Sequence, residues 1–391
     1  MRLLFLTCHL PCPRLSGGRL REYELLRRLA GEVEFHVCAV SKTYDEDVAR
    51  AAELRRLGIH VEVFRARTGC GDGVASQVAR HASAEAARRV EELVSRGAVD
   101  AVHVEGFYLM PLVPTDCPVP ILLVEQNVEL DLWRQRVDRE TDRDRRRAAF
   151  LEHGLTRAAE LAAWGRADLC ATVTTADLDR IARLAPTLDL RVVPDGADHI
   201  AARRSHPRPD PRTVAMVANF AYEPNACAAA WFCSEILPRL TNRIPGVHLQ
   251  LVGSGPPAHV RALAGGNVTV TGPVPAVEPY LDRAAVVVCP LRVGGGIKVK
   301  VLEALSRGKA IVTTSIGAQG LPAQIARCGG VEDDPARFAD AVAALLADRR
   351  RRERCEQESL ALAATLPTWD DAAVALLGCY GELRHDAERV A

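Results

Sequence analysis

The sequence predicts an α/β protein built from two doubly wound parallel-sheet domains. Short apolar runs such as "RLLFLT" and "PILLVEQ" alternate with longer amphipathic stretches along the whole chain. Continuous Val, Ile and Leu runs separated by helices are typical of parallel sheets that are covered on both faces. The pattern restarts once, and 391 residues exceed a usual single domain. We expect two domains facing a cleft, with ligands outside the carboxyl ends of the strands.

The same pattern predicts four segments. The first domain spans 1–198 and ends at "VVPDGAD". A linker follows at 199–212, because "HIAARRSHPRPDPR" holds three prolines and many charges but no apolar period. The second domain spans 213–366. An amphipathic helix at 367–391 follows a proline and is expected to pack back on the first domain.

Composition excludes several classes of protein. The formal net charge is +0, which argues against a nucleic-acid binder. No segment reaches about 18 consecutive apolar residues, so we expect no transmembrane helix. The first apolar run is too short for the core of a signal peptide. The 12 cysteines form no CxxC pair, and Cys8, His9 and Cys12 lack a second pair of ligands at zinc-like spacing. These features predict a reduced, cytoplasmic protein without a metal site.

The second domain contains an unusual concentration of lysine. Only four of the 50 basic residues are lysines, and Lys298, Lys300 and Lys309 all lie in "GGGIKVKVLEALSRGKAIV". This stretch predicts a strand-to-helix turn at the carboxyl edge of the sheet. The N–H groups of Gly296, Ile297 and Lys298 would then bind an anion at the start of the helix.

The alternative is a set of solvated, unimportant lysines. It is disfavoured because a cation at a helix N-terminus costs about 0.3–1 kcal/mol unless an anion is present. We therefore expect the Lys298 ammonium to face a phosphate and Glu303, in the second turn, to accept hydrogen bonds from sugar hydroxyls. A diphosphate beside a ribose describes a nucleotide. Lys309 starts the next strand and is expected to be structural.

Nearly the whole chain resembles the group-1, family-4 glycosyltransferases of GT-B fold, which consist of two Rossmann-like domains. The resemblance rests on "FLTCHLPCPRLSGGRLREYELLRRLA", "VVPDGAD" and, most specifically, "GGGIKVKVLEALSRGKAIVTTSIGAQGL". It implies a site that binds the sugar donor. The residues of this donor site are Gly17, Gly18, Asn219, Val274, Gly295, Gly296, Ile297, Lys298, Lys300 and Glu303.

The resemblance also implies individual roles. Gly17 and Gly18 would close on the sugar phosphate, and Val274 would lie beside the base. Lys298 would act in catalysis by neutralising the diphosphate. His103 would lie near the transferred sugar as the second catalytic residue, although a fully bonded core histidine is the alternative.

Two departures from the family pattern concern the donor. The family has two Glu residues separated by seven positions, and Glu303 matches the second of them. The first falls at position 295, which is Gly295 here. Asn219 and Asn225 stand about where many relatives carry Arg and Lys. A branch with "GGGIKVK" would move the positive charge onto the glycine loop. Recognition of the sugar hydroxyls, and with it the identity of the donor, stays open.

The implied reaction is sugar transfer with retention, from a nucleotide-diphosphate sugar to an acceptor hydroxyl. A UDP-sugar is favoured, and the acceptor would be a bacterial natural product or a cell-envelope saccharide. We expect no cofactor and no metal, because no DxD-type acidic pair lies beside the glycine loop. Glu105 and Glu125 are candidates for acceptor binding. With Asp195, they are also the carboxylates that a double-displacement route could use.

Three further points stay open at the level of sequence. A sugar-nucleotide epimerase of GT-B fold and a non-catalytic sugar-nucleotide-binding protein are the alternative functions. The mixed-charge stretch 134–157 predicts a solvated helix, and contact with an anionic acceptor or a membrane surface is the alternative. The sequence does not determine the oligomeric state.

Overall fold

The chain consists of two compact units. The computed structural model describes residues 1–12, 16–67, 73–200 and 209–390, with side chains of the last helix described as far as Arg384. The first unit comprises Met1–Asp195 and Trp369–Ala391, and the second comprises Gly196–Thr368. The first unit thus ends at Asp195, slightly before the expected residue 198.

A seven-stranded parallel sheet forms the centre of the first unit, in the order β3-β2-β1-β4-β5-β6-β7. Its strands are β1 (Arg2–Thr7), β2 (Glu34–Ser41), β3 (His60–Arg65), β4 (Ala101–Glu105), β5 (Ile121–Glu125), β6 (Leu169–Thr172) and β7 (Leu190–Val192). Every residue of β4 and β5 is buried, as expected for strands covered on both faces.

Helices follow most strands of this sheet. They are α1 (Gly17–Leu29), α2 (Tyr44–Arg50), α3 (Ala52–Arg55), α4 (Ser76–His81), α5 (Ala84–Ser95), α6 (Glu129–Arg139), α7 (Arg143–Trp164) and α8 (Thr175–Leu184), with a 3₁₀ helix at Phe107–Leu112. Hydroxyl and carboxylate caps set several of the starts. Ser83, Asp142 and Thr174 each accept a hydrogen bond from a backbone N–H in the first turn of α5, α7 and α8.

The second unit repeats the architecture with a six-stranded sheet in the order β10-β9-β8-β11-β12-β13, again parallel. The strands are β8 (Asp210–Val217), β9 (His248–Val252), β10 (Val268–Val270), β11 (Ala284–Cys289), β12 (Ala310–Thr313) and β13 (Gly329–Val331). The helices are α9 (Glu223–Trp231), α10 (Leu237–Arg243), α11 (Ala258–Arg261), α12 (Glu278–Arg283), α13 (Val299–Ser306), α14 (Pro335–Ala347) and α15 (Arg349–Ala363). A π turn at Phe232–Ile236 joins α9 to α10, and a 3₁₀ helix spans Ala323–Cys328.

The structure corrects the end of the expected linker. Residues 201–208 of the predicted 199–212 segment lie outside the described residues. Strand β8 begins at Asp210, so 210–212 are strand residues despite Pro211. Asp210 pairs with Ala284 ahead of a shift in register, and such irregularities accommodate a proline.

The last helix, α16 (Trp369–Val390), belongs to the first unit. Its Trp369 and Tyr380 are fully buried. Asp370 forms an ion pair with Arg28 of α1, and Glu382 forms one with Arg191 of β7. The helix therefore completes the hydrophobic core beside α1, in a unit whose other elements come from the start of the chain.

Candidate functional site

The glycine-rich turn of the second unit follows β11, at the carboxyl edge of the sheet. Helix α13 begins at Val299, with Lys298 at the N-cap position and no side-chain cap. Gly296 adopts a left-handed conformation with φ of 58°. A side chain would be strained there, so the turn requires glycine at this position.

The Lys298 ammonium contacts the turn itself. Its Nζ donates to the carbonyl oxygens of Gly295 at 2.8 Å and Gly296 at 2.7 Å, and to Oε1 of Gln319 at 3.3 Å. The residue is only 7% exposed. In the structure described, this ammonium therefore points at the turn, and a direct contact with a phosphate stays a prediction. A buried ammonium requires acceptors, and the carbonyls of the turn supply them.

These contacts orient the peptide groups of the turn. In a trans peptide the C=O and the following N–H point in opposite directions. Because the carbonyls of Gly295 and Gly296 point at the ammonium, the N–H groups of Gly296 and Ile297 point away from it. Neither N–H donates to any residue that the structure describes. Lys298 thus holds in place two of the N–H groups that the sequence assigned to an anion site.

Lys300 links this turn to the end of β8. Its Nζ donates to Oδ1 of Asn225, whose Nδ2 donates to the carbonyl of Asn219 at 2.7 Å. Burial lowers the pKa of Lys300, and the charges of Cys289 and Glu303 only partly oppose that effect. The Lys300 amino group therefore lies beside Asn225, a position near which, by the family resemblance, many relatives carry Arg or Lys.

Glu303 pairs with a histidine that the sequence analysis did not single out. His199 Nε2 lies 3.2 Å from Glu303 Oε1, and the two side chains are 6% and 17% exposed. The Ser306 hydroxyl, one turn later, donates to the carbonyl of Ala197 at 2.6 Å. The segment after β7 therefore packs along α13, and Glu303 has a partner before any ligand binds. A histidine at the end of "VVPDGADH" was the available signal.

The remaining predicted residues of this unit occupy less constrained positions. Val274 follows β10 and packs, partly buried, against the core. Asn219 Oδ1 accepts a hydrogen bond from the N–H of Ala221, which fixes the turn after β8. Lys309 is fully buried at the start of β12, consistent with a structural role.

In the first unit, Gly17 and Gly18 form the first turn of α1 and not a loop. Ser16 caps this helix by accepting from the N–H of Arg19. A Cβ atom on Gly18 would lie 2.9 Å from Oε1 of Gln126 and 3.6 Å from Cε1 of His9. The absence of a side chain therefore lets the helix start approach the residues that follow β1 and β5.

His103 is a core histidine. It is fully buried, its Nδ1 lies 2.7 Å from the Tyr380 hydroxyl, and its Nε2 lies 2.9 Å from Oε1 of Glu105. Its ring also packs against that of Phe5 at a centroid distance of 4.3 Å. Both ring nitrogens already have partners inside the core, which favours the alternative of a fully bonded core histidine over a contact with a transferred sugar.

Glu105 and Glu125 are also buried, each 2% exposed, which argues against their expected contact with an acceptor. Glu105 holds His103 with one oxygen and accepts from Nε2 of Gln126 at 3.0 Å with the other. Burial alone would raise the pKa of Glu105, but the hydrogen bond and charge of His103 outweigh burial and lower it. The partly exposed Gln126 is the member of this group that solvent reaches.

Glu125 points into a different part of the core. Its Oε1 accepts from Nε1 of Trp164 at 3.0 Å. Burial, reinforced by the negative charge of Glu160, holds the pKa of Glu125 well above its usual range. Burial therefore favours the neutral form of this carboxyl.

The third carboxylate considered for double displacement, Asp195, is bound by a buried arginine. Arg21 donates to Oδ1 of Asp195 at 2.7 Å and to the carbonyls of Val193 and Pro194. Both side chains are almost inaccessible. These contacts anchor α1 to the residues that follow β7. The charge of Arg21 also neutralises that of Asp195.

Sequence reasoning missed a group of titratable side chains at the end of β1, which we name the Cys8 cluster: Cys8, His9, Glu22 and Tyr108. Cys8 Sγ lies 3.2 Å from His9 Nδ1, and His9 Nε2 forms a 3.0 Å ion-pair contact with Glu22 Oε1 without hydrogen-bond alignment. The Tyr108 hydroxyl lies 3.5 Å from the sulfur. The adjacent Cys and His were visible in the sequence, but Glu22 joins them only through the packing of α1.

Among the described residues, one group has the arrangement of metal ligands. His36, His60 and Glu62 offer ligand atoms that lie within 4.8 Å of one another. They lie near the amino ends of β2 and β3, where His36 and His60 are cross-strand partners. Glu62 Oε1 also accepts from Arg89 at 2.8 Å. Neither the glycine turn nor the Cys8 cluster includes these residues.

Helices α6 and α7 present a basic surface with exposed apolar side chains. The stretch 134–157 holds eight arginines and five carboxylates. Phe150 and Leu151 of α7 are 63% and 59% exposed. Arginines 143, 146 and 147 precede them at helical spacing and line the same groove as Phe150. Within the described residues, every helix is too short or too polar to span a bilayer.

Comparison with known proteins supports a glycosyltransferase-like second unit. Residues 211–348 match the family model described as glycosyl transferases group 1. This match includes the glycine turn, Lys298, Lys300 and Glu303. A search of curated proteins found no match.

Solved structures match the whole chain. Anabaena HepE, solved with UDP and glucose, superposes with a TM-score of 0.67 at 15% identity over 98% of this chain and 100% of that one. A variant of TarM from S. aureus, solved with fondaparinux, alpha-GlcNAc-glycerol and UDP, gives 0.66 at 9% identity over 97% and 99%. A putative UDP-N-acetylglucosamine 2-epimerase from Listeria monocytogenes gives 0.60 at 14% identity over 96% and 94%. The chain therefore has the two-domain, Rossmann-like GT-B fold.

We expect Lys298→Met to destabilise the protein. The substitution keeps a long side chain but leaves two partly buried carbonyls without their donor, which should lower the free energy of unfolding by about 1–3 kcal/mol. Urea denaturation measures the change. Arg349→Met, an exposed position, is the control and should change little. Equal stabilities of the two variants would mean that the contacts of Lys298 with the carbonyls of the turn do not stabilise the fold.

We expect Glu125→Gln to change how stability depends on pH. A carboxyl that binds its proton more tightly in the folded chain than in the unfolded chain stabilises the fold at low pH, and this contribution is lost as pH rises. The wild type should therefore lose stability relative to Glu125→Gln between pH 5 and pH 8. Urea denaturation at both pH values measures the difference. A constant difference would mean that the Glu125 pKa is not raised.

Proposed function

We propose that the chain is a glycosyltransferase that moves a sugar from a nucleotide-diphosphate sugar, with UDP as the favoured nucleotide, to an acceptor hydroxyl. The observation that carries the proposal is the glycine turn. Lys298 orients its two N–H groups, those of Gly296 and Ile297, away from the ammonium, within the segment that matches the group-1 family model. HepE and TarM, which share the fold, were solved with UDP.

In this proposal, the donor diphosphate binds to the N–H groups of Gly296 and Ile297. These groups are fixed before the ligand arrives, so they stabilise the charge that grows on the leaving diphosphate without reorganising. The uncapped start of α13 adds its dipole. Lys298 acts by holding the turn and by contributing positive charge from behind it. Lys300, held by Asn225, supplies a second cation.

Glu303 is placed at the ribose. Its carboxylate is partly exposed and already oriented by His199, so it can accept hydrogen bonds from ribose hydroxyls. The remaining predicted donor contacts are those of Gly17 and Gly18 with the sugar phosphate and of Val274 with the base. Because Gln126 and His9 lie against Gly18, they join this set as the accessible polar groups beside the first turn of α1.

The proposed chemistry is front-face transfer with retention and without a metal ion. A donor phosphate oxygen takes the proton of the acceptor hydroxyl, and the diphosphate leaves on the same face. Double displacement would require a free carboxylate. Glu105, Glu125 and Asp195 are each buried and bound to other side chains, which disfavours that route. A bacterial natural product or cell-envelope saccharide is the proposed acceptor, and the cytoplasm the proposed location.

Two other functions use the same nucleotide site. An epimerase is a candidate because one structural neighbour is described as a putative 2-epimerase. Release of free nucleotide and altered sugar without any acceptor would favour it. A non-catalytic binding protein would instead bind the nucleotide sugar without turnover across a broad panel of acceptors. A thermal-shift screen of nucleotide sugars, followed by that panel, distinguishes the three.

We expect Glu303→Gln to weaken UDP binding by about 1–3 kcal/mol, because a hydrogen bond to a charged acceptor is replaced by one to a neutral amide. Calorimetric titration with UDP measures the loss. Glu235→Gln, which changes an exposed carboxylate of the same unit, should bind as the wild type does. Undiminished affinity in Glu303→Gln would remove this residue from the ribose site.

We expect the first-formed product to keep the anomeric configuration of the donor, and the rate to survive EDTA. Charge on the leaving diphosphate is met by N–H groups and lysines, so no divalent ion is needed. NMR of the product formed with and without EDTA tests both points. An inverted product would refute the mechanism, and loss of activity restored by Mg²⁺ or Mn²⁺ would refute metal independence.

We also propose a peripheral membrane contact through α7. Exposed Phe150 and Leu151 beside arginines suit an anionic bilayer surface. The protein should sediment with phosphatidylglycerol vesicles and less with neutral phosphatidylcholine vesicles. The double substitution Phe150→Ser and Leu151→Ser should reduce this binding several-fold. Val374→Ser, an equally exposed apolar position on α16, should not. Equal binding of all three proteins would exclude the surface.

A further inference from the structure

The Cys8 cluster contains a thiol that the proposed reaction does not use. Cys8 is half-buried at the end of β1, with His9 Nδ1 3.2 Å and the Tyr108 hydroxyl 3.5 Å from its sulfur. Behind His9 lies Glu22, which is 1% exposed and accepts a hydrogen bond from Thr7. A thiol, an imidazole and a carboxylate thus follow one another at contact distance, the order that activates a cysteine nucleophile.

The charges around the sulfur favour a thiolate. Burial alone would raise the pKa of the Cys8 thiol, but the positive charge of His9 and the contacts of His81 outweigh burial and hold it well below its usual range. Burial opposes the charge on His9 as well, yet the charges of Cys8 and Glu22 raise its pKa well above the usual value. Lys42 is a further neighbouring cation, with a pKa lowered by burial.

The other two members of the cluster, Glu22 and Tyr108, also have shifted pKa values. Burial raises the pKa of Glu22 to about 7, against the charge of His9. Burial and the charge of Cys8 hold the pKa of the Tyr108 hydroxyl well above its usual range, so Tyr108 keeps its proton and remains a donor. The sulfur therefore lies beside the imidazole of His9, the Tyr108 hydroxyl and His81, and both histidines favour its negative charge.

The other cysteines with resolved shifts behave oppositely. Burial raises the pKa of the thiols of Cys38, Cys170 and Cys233, the last to about 11. Cys227 is exposed. Reactivity of a cysteine follows its thiolate fraction and its access. Among these thiols, Cys8 alone combines a lowered pKa with partial exposure.

From this geometry we infer that Cys8 is a modification site that reacts with hydroperoxides. The thiolate sulfur attacks one peroxide oxygen, the O–O bond breaks, and a sulfenic acid forms. The sulfur is oxidised, and the peroxide is reduced to hydroxide or alkoxide. The proton of the His9 imidazolium neutralises this leaving oxygen, and the Tyr108 hydroxyl donates to it as it departs.

The surroundings favour this class of reagent over larger electrophiles. The sulfur is half-buried and in contact with His9 and the Tyr108 hydroxyl. A bulky acyl or alkyl group would have to displace one of these neighbours.

The test measures the reaction of the full-length protein with hydrogen peroxide at pH 6 and pH 8. Dimedone traps the sulfenic acid, and peptide mass spectrometry quantifies it at Cys8 and Cys227. At pH 6 Cys8 should react at least about tenfold faster than Cys227, because an ordinary thiol is mostly protonated there. The rate constant of Cys8 should change little up to pH 8, while that of Cys227 should rise about tenfold per pH unit.

Two variants locate the cause. Cys8→Ser should lose the Cys8 signal and leave that of Cys227 unchanged, which confirms the assignment. His9→Gln should slow the reaction of Cys8 at pH 6 and give it the pH dependence of an ordinary thiol. If circular dichroism shows that His9→Gln does not fold, the pH profile of the wild-type protein still tests the inference. A tenfold rise per pH unit at Cys8, or no sulfenic acid at Cys8 at either pH, overturns the inference.

Discussion

One ammonium group determines the geometry of the glycine turn in the second unit. Lys298 is nearly buried, and a buried cation must be surrounded by acceptors. The acceptors are the carbonyls of Gly295 and Gly296, which can turn inward because Gly296 adopts a left-handed conformation. The glycines and the lysine therefore depend on each other. Without glycine the carbonyls could not converge, and without the ammonium their convergence would be unfavourable.

The first unit uses a buried cation in a comparable way. Arg21 of α1 donates to the carbonyls of Val193 and Pro194 and to the carboxylate of Asp195. Its planar group has five donors in fixed directions, so it holds a length of backbone at once. In each unit, a cation from a helix or its cap thus fixes an irregular segment at a strand end. Such segments lack the ladder of hydrogen bonds that holds strands in place.

The sequence was sufficient for the strands, the two parallel sheets and the position of the glycine turn, because these follow from apolar runs and glycine spacing. It was not sufficient for the directions of polar side chains. His103 and Glu105 lie in β4 two residues apart, on a face whose cover includes Tyr380, 277 residues away along the chain. Periodicity cannot show which distant helix covers which face. The direction of the Lys298 ammonium was equally hidden, since it depends on backbone conformations that glycine leaves open.

The charged groups at the polar edge of the first unit partly compensate one another. His9 lies between the thiolate of Cys8 and the carboxylate of Glu22, and Arg21 contributes to lowering the pKa of the neighbouring Glu105. Burial and the nearby Glu105 both raise the pKa of Glu22, to about 7. Near neutral pH, Glu22 is therefore partly protonated. As Glu22 takes up its proton, the imidazolium of His9 loses one of its two negative neighbours, and the thiolate of Cys8 becomes the main group that keeps His9 charged.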